Sequence, residues 1–321
     1  MNELKNIIFI KLSKWKYILR FFLNRVKIRT IGEKKYAEEW FEKVTGKKPN
    51  LEDPRTLNEK IVWLKLNYYE DFHTKACDKY LIHQYLEEKL GEDLAPKLYF
   101  VTHDPDELTP ENIKRYPCII KVSNGSGSNL IVKSKEQYSN RYISEYFKEQ
   151  IVFANEHVFI SMEHQYLPKD PYIVVEELLR DEKGGLPNDY KFLYINGELQ
   201  FIYCTVDRLG ENIRQVYDKN WIRLHFIWVS HADKSIFDRY EATSDIPVPK
   251  NFERMLMISK RIAEDFPLVR VDFYETGEKI YIGEITLHHG SGGDIFYPGM
   301  FDLIYGEKLI LPEIKRKDQT P

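Results

Sequence analysis

The chain has 321 residues, 43% apolar, 14% aromatic and 30% charged, too long for one compact core and too apolar for long disordered segments, so two or three lobes sharing a large interface are expected. Its three cysteines, Cys77, Cys118 and Cys204, lie far apart with no CxxC pair, which fits neither a disulfide framework nor a zinc site and points to a reducing, cytoplasmic compartment. The formal net charge of −3 conceals an asymmetry: residues 1–35 hold ten Lys and Arg against Glu3 and Glu33, a net of +8, leaving −11 for residues 36–321.

Within residues 1–35, Ile8, Leu12, Trp15, Leu19, Phe22 and Val26 recur at steps of three and four. Lys11, Lys14, Lys16, Arg20, Arg25 and Lys27 fill most remaining positions, a pattern that predicts a basic amphipathic helix. No uncharged apolar stretch approaches the roughly 20 residues needed to span a bilayer, and no small-residue cleavage site follows. Such a helix either makes peripheral membrane contact through residues 5–29, at the inner face of the cell membrane, or packs its apolar stripe on the main body. The pattern leaves both open.

Residues 36–110 are expected to form a helical entry region, with helices over Tyr36–Thr45, Leu57–Leu66 and Lys79–Leu90, the last capped by Asp78. From about Leu94 the chain changes to β-branched and aromatic runs bounded by Gly, Pro, Asn and Asp. These predict strands over Cys118–Val122, Leu130–Val132, Tyr172–Glu176, Tyr190–Ile195, Leu199–Thr205, Val269–Tyr274 and Lys279–Glu284. Helical stretches over Ile143–Phe153 and Asn251–Phe266 interrupt them, and Asn196-Gly197 between two strand runs signals a hairpin. The expectation is an α+β protein with antiparallel sheets.

Three segments carry candidate chemistry. In the first, a strand ending at Lys121 enters the small-residue loop Ser123–Ser128. The lysine offers a mobile cation, Gly125 and Gly127 let backbone N–H groups approach an anion, and Ser123 and Ser126 add donors. A Walker loop would place its lysine after the glycines and open a helix, which is not the order here. In the second, the apolar strand running into Glu176, Glu177, Leu178 and Leu179 can offer a carboxylate and backbone groups to an adenine edge, and Asp189 and Lys191 follow as a pair suited to a ribose hydroxyl and a phosphate. In the third, alternation puts Arg270, Asp272 and Tyr274 on one face of a strand and Ile282, Glu284 and Thr286 on one face of its neighbour. Asp272 and Glu284 then converge as a magnesium pair, with Arg270 able to neutralise them or to stabilise a transferring phosphoryl group.

In this order, Asp78-Lys79, Lys121 with its loop, Glu176 to Leu179, Asp189 to Lys191, Arg270 to Asp272 and Glu284 to Thr286 resemble the ATP-grasp superfamily over about residues 55–312. More narrowly, Leu57 to Trp63, Asp78 to Tyr80, Glu163 to Tyr166, Asp189 to Phe192, Asp207-Arg208, Tyr217-Asp218 with Trp221, and Gly283 to Thr286 resemble the TupA-like branch, associated with teichuronopeptide and other surface-polysaccharide biosynthesis.

The resemblance implies an ATP-grasp fold, two α+β lobes gripping ATP between antiparallel sheets: a small lobe over 111–180 and a large lobe with the metal site over 181–321. It implies Lys79 and Lys121 on the ATP phosphates, Glu176 and the Glu177–Leu178 backbone on adenine, and Asp189 on ribose. Asp272 and Glu284 would bind Mg2+. Two departures stand out: Thr286 occupies the place of a frequent metal-binding asparagine, and Ser123-Asn124 replaces the branch's usual Asn-His. The implied reaction is ligation, in which ATP phosphorylates a carboxylate and an amine attacks the acyl phosphate, with Arg270, Lys191 and Arg208 as catalytic residues.

For this branch the acceptor would be a uronic acid of a polysaccharide, or of its nucleotide-sugar or lipid-linked precursor, and the amine an amino acid. His288, Gly290, Ser291 and Gly292, with Arg208 and Arg214, are the expected acceptor contacts. A glycosyltransferase is the alternative, for which Asp104-Pro-Asp106 is the only DxD. A kinase that stops at phosphoryl transfer and a non-catalytic scaffold are further alternatives. Nucleic acid is not an expected partner, because the net basic charge is concentrated in one aromatic-rich amphipathic helix and the body is acidic.

Overall fold

A computed structural model describes residues 2–127, 129–167, 170–206, 213–231 and 245–314, with side chains from residue 17 onward. The chain opens with α1 (Asn2–Ile31), α2 (Glu33–Thr45), α3 (Leu57–Asn67), α4 (Asp71–Cys77) and α5 (Ile82–Leu90). There follow β1 (Leu98–Thr102), α6 (Pro110–Ile113), β2 (Cys118–Val122), β3 (Leu130–Val132), α7 (Asn140–Ser161) and β4 (Ile173–Glu177). Next come β5 (Asp189–Ile195), β6 (Glu198–Val206), β7 (Ile213–Tyr217), β8 (Arg223–Leu224), β9 (Ile227–Val229) and α8 (Phe252–Ala263). The last elements are β10 (Leu268–Thr276), β11 (Lys279–Thr286), β12 (Ile295–Tyr297) and α9 (Met300–Lys308). The result is the α+β arrangement with antiparallel sheets and a helical amino-terminal region that the residue pattern predicts.

The chain divides into two compact units, one comprising Met1–Glu33, Asp71–Gln84 and Pro96–Leu178, the other Lys34–Glu70, Tyr85–Ala95 and Leu179–Pro321.

In the first unit, an antiparallel sheet runs in the order β1-β4-β2-β3. Alternation along β2 turns Cys118, Ile120 and Val122 into a core with Phe147 and Ile143 of α7, and leaves Ile119 and Lys121 on the other face. The capping residue Ser139 starts α7 by accepting the Tyr142 N–H at 3.2 Å, and Met162 ends it in the left-handed region at φ 59°. Against α7 lies α1, through Phe21 and Tyr17 on Phe153 and an Arg25–Glu156 ion pair of 2.8 Å. The packing face of α1 is therefore not the expected stripe: Phe21 and Ile28 are buried, whereas Leu19, Phe22 and Val26 stay exposed. Among the described residues no helix is long and apolar enough to cross a membrane.

In the second unit, the sheet order is β11-β10-β5-β6-β7-β8, all antiparallel, with a separate β9–β12 pair. The β5–β6 hairpin turns on Asn196 and Gly197, both at positive φ (48° and 76°), the pair such a tight turn demands. One sheet face carries α8, which buries Met255, Ile258 and Ile262. The other core joins Leu57 and Ile61 of α3 to Phe201, Trp228, Phe296 and Tyr305. A capping box starts α3, with the Thr56 hydroxyl on the Glu59 N–H and the Glu59 carboxylate on the Thr56 N–H. The expected helix over Lys79–Leu90 begins as α5 only at Ile82, after a turn in which Asp78 accepts the N–H groups of Tyr80 and Leu81.

All three cysteines are buried thiols. Burial pushes the Cys118 thiol up to about 12 and holds Cys204 well above its ordinary value, so neither supplies a thiolate.

Candidate functional site

In the first unit, Lys121 leaves the face of β2 opposite to Cys118, Ile120 and Val122, beside β4. The register sets Ile119 opposite Glu176 and Lys121 opposite Val174, so Lys121 and Glu176 are diagonal neighbours on one face. Their side chains meet at 2.6 Å, with Glu176 almost fully buried. From the turn before α5, Lys79 reaches the loop that follows β2: its Nζ donates to the Gly125 carbonyl at 2.6 Å and approaches that of Ser123 at 3.4 Å, while its backbone N–H meets the Ser123 carbonyl at 3.1 Å. The two expected phosphate lysines thus share one loop.

Ser123 is turned inward. It is buried, its N–H donates to the Tyr172 carbonyl and its hydroxyl accepts the Tyr172 N–H at 3.1 Å. Asn124 donates to the Tyr166 carbonyl at 3.1 Å, tying the loop to the turn after α7. Ser126 and Gly127 form the exposed rim, where Gly127 at φ 74° has open space around it. Ser128, expected to close the loop, lies outside the described residues. The Glu177 N–H is taken by the Lys97 carbonyl, Leu178 and Leu179 are buried, and the division between the units falls between those two leucines.

The DxD pair belongs to the scaffold of this unit. Asp104 accepts the Asp106 N–H, and the Asp106 carboxylate takes the Lys148 ammonium at 2.6 Å and the Ser144 hydroxyl, both from α7.

In the second unit, the centre is Asp272, midway along β10. Its cross-strand partners are Lys191 of β5 on one side and Glu284 of β11 on the other. Lys191 donates to Oδ2 at 2.6 Å, and Arg270, two residues back on the same face, donates to Oδ1 at 2.7 Å and Oδ2 at 2.8 Å. Lys191 also pairs with Asp189 Oδ2 at 2.6 Å, leaving the buried Asp189 Oδ1 without a hydrogen-bond partner. Arg270 further reaches Glu284 at 3.5 Å and the Thr286 hydroxyl at 3.1 Å.

Burial alone would raise the Asp272 carboxyl, but the Arg270 and Lys191 charges outweigh it and hold the group below the usual carboxylate range. The same partnership holds Lys191 and Arg270 above their ordinary values despite burial.

A bulge fixes this alignment. The register of β10 and β11 shifts between Asp272 and Phe273, which pair with Glu284 and Ile282, so Gly283 is the extra residue. The Tyr274 ring lies where a Gly283 Cβ would stand. Simple alternation groups Ile282 with Glu284. The bulge instead turns Ile282 into the core opposite Phe273 and keeps Glu284 beside Asp272.

Among the described residues there is no cluster of three His, Cys, Asp or Glu arranged for a metal. Two facing carboxylates are nonetheless the protein share that magnesium takes when phosphate oxygens and waters complete its shell. Glu284, its side chain 34% exposed, is the open member of the pair.

The turn after β11 holds the expected acceptor residues. Gly290, Ser291 and Gly292 all sit at positive φ, and a Cβ on Gly292 would stand 2.8 Å from the Asn58 carbonyl. Lys65 donates to the Ser291 hydroxyl at 2.8 Å, and His288 is buried. His289 is turned into the core, its Nδ1 2.8 Å from Asp294 and its ring edge-on to Trp228. Arg214 lies on β7 opposite Thr205, and Arg208 lies outside the described residues.

Pattern reading missed the supports of this turn. Asn58 donates to the Asp294 carbonyl at 2.8 Å, and its backbone N–H is capped by Asp302 at 2.9 Å. The only signal was the position of Asn58 within the Leu57 to Trp63 motif.

A sequence profile of the TupA-like ATPgrasp family matches residues 59–310 of the chain. No curated protein sequence gives a significant match. Solved structures with some likeness include the D-alanine–D-alanine ligase of Bacillus anthracis complexed with ATP, at 13% identity and a TM-score of 0.36, over 66% of this chain and 53% of that one. The D-alanine–D-alanine ligase of Helicobacter pylori gives 14% identity and a TM-score of 0.41, over 79% and 69%. The ATP-grasp ligase PsnB complexed with a precursor variant, Mg and ADP gives 12% and 0.36, over 78% and 68%. The chain thus spans about half the length of the first of these and more than two thirds of the others.

Proposed function

The chain belongs to the TupA-like ATPgrasp family and is an ATP-grasp enzyme, and on that premise we propose that it is an ATP- and Mg2+-dependent carboxylate–amine ligase acting on a uronic acid of a cell-surface polysaccharide or its precursor. The observation that carries the reading is Asp272, buried between Lys191 and Arg270 and in register with Glu284, inside the segment that matches the family.

In this proposal Lys79 and Lys121 offset the charge of the ATP phosphates, the end of β4 from Glu176 to Leu179 takes adenine, and Asp189 holds the ribose through its unpartnered oxygen. Asp272 and Glu284 are the residues that would hold magnesium, which supplies charge neutralisation to the phosphates when bound. The γ-phosphoryl group passes to an acceptor carboxylate oxygen, with Arg270 and Lys191 offsetting the charge that develops. The amine nitrogen then attacks the acyl carbon, phosphate leaves with the bonding pair, and the nitrogen loses its proton. ADP, phosphate and an amide result, with no protein nucleophile. Arg208, Arg214 and the Gly290–Gly292 turn are the proposed acceptor contacts, and cytoplasmic placement is part of the same reading.

The test is incubation with ATP and magnesium against a panel of amino acids and uronic-acid glycans, following ADP release and amide mass. ADP release that requires both substrates is expected, with activity falling about 100-fold or more in Lys121→Ala and in Glu284→Ala, the scale of losing one electrostatic contact in a closed site. Activity surviving the double variant would sink the assignment, and ADP released with the sugar alone would convert it to a kinase.

A further inference from the structure

On a helix turning about 100° per residue, Leu19, Phe22, Leu23 and Val26 share one sector of α1 about 100° wide. They are 61%, 59%, 59% and 46% exposed. The buried residues Phe21 and Ile28 lie half a turn away, on the side that packs against α7. The helix therefore has two apolar faces, of which the protein covers one. Arg20 and Lys27 flank the exposed row on one side and Arg29 on the other, all with exposed side chains and each about a quarter-turn from its centre. The apolar spacing of the row continues back in the sequence to Trp15, Leu12 and Ile8.

Four large apolar side chains in one exposed row need a cover, and the charge around them selects it. Residues 1–35 carry a net of +8, so pairing this face with a second copy would set +8 against +8. An anionic surface with an apolar interior meets both requirements, because basic side chains flanking an apolar row reach headgroup phosphates while the row enters the acyl boundary. We propose that α1 lies flat on an anionic lipid surface, inserting Leu19, Phe22, Leu23 and Val26 and setting Arg20, Lys27 and Arg29 on the headgroups. None of these residues belongs to either charged cluster described above, so the proposal stands or falls apart from the ligase reading.

The experiment is co-sedimentation of the full chain with vesicles of phosphatidylcholine containing about one-third phosphatidylserine, at about 0.15 M salt, where exposed charges more than about 8 Å apart are screened. Binding at least about 10-fold stronger than to pure phosphatidylcholine is expected, since each basic residue near an anionic surface is worth roughly fivefold. The variant Leu19→Ser/Phe22→Ser/Val26→Ser should lose about 10-fold or more while melting at an unchanged temperature, because it removes exposed side chains alone. Arg20→Glu/Arg29→Glu should lose at least about 25-fold. No binding to the anionic vesicles, or equal binding by the apolar variant, overturns the proposal. So does a dimer that the apolar variant converts to monomer.

Discussion

At Asp272 two effects oppose each other: burial disfavours the charge, and two cations within 2.8 Å favour it. The cations win, and the sign has a consequence for pH. A carboxyl held below its unfolded value of about 3.8 contributes stability that is complete above that pH and lost as pH falls through the folded value. Replacing Asp272 by Asn removes the partner that Lys191 and Arg270 share, leaving Lys191 to Asp189 and Arg270 to Glu284 and Thr286, and should cost about 3 kcal/mol, the low end of the scale for breaking a buried pair from one side. Urea melts between pH 3 and 7 should therefore show the wild type losing more stability toward acid than Asp272→Asn, so that the gap between them narrows. A constant gap would disprove the account. The residue types of this site were legible because carboxylates, lysines and an arginine advertise their chemistry. Partnerships within the β10–β11 hairpin, Arg270 with Asp272 and Glu284, could be read from alternation, but the long-range ones could not: Lys121 finds Glu176 across 55 residues and Lys191 finds Asp272 across 81, distances over which local pattern says nothing.

Among the elements, strands with clear alternation and turn boundaries, such as β2 and β3, were readable to the residue. The β5–β6 hairpin was readable because Asn-Gly has one favoured turn. Short pieces such as β8 and β12 have too few residues to show a period, and their pairing comes from the body of the fold. The bulge at Gly283 was invisible because a glycine in a strand reads as weakness until its neighbour's ring is seen above it. Gly306 in α9 makes the same point with a definite sign. Helix propensity says Gly306→Ala should stabilise by about 0.5–1 kcal/mol. In the fold, the new Cβ would collide with the backbone of Arg55, Thr56 and Leu57 where α9 meets the start of α3. We expect destabilisation of about 2 kcal/mol or more, as for other overpacked sites. A rise in melting temperature for Gly306→Ala would refute this packing.

For the whole molecule, the α+β class and the charge asymmetry of the amino-terminal helix followed from composition and periodicity. The assignment of chain segments to the two units did not. Asp71–Gln84 belongs to one and Tyr85–Ala95 to the other, a division within a few residues that only long-range contacts decide. Each unit closes over its own apolar core, and the cations of the Asp272 cluster already neutralise most of its acids. Chelation with EDTA should therefore leave the melting temperature of the ligand-free protein within a degree or two, unlike a domain folded by its metal. A large drop, seen by calorimetry, would contradict this.

The same cluster has a further property as a set of charges. Asp189, Asp272 and Glu284 face Lys191 and Arg270, which leaves the patch with one negative charge in excess. One divalent cation reverses that excess to one positive. A patch that draws cations when empty would draw polyanions once loaded, so a metal bound in the proposed site would invert the polarity met by the proposed triphosphate.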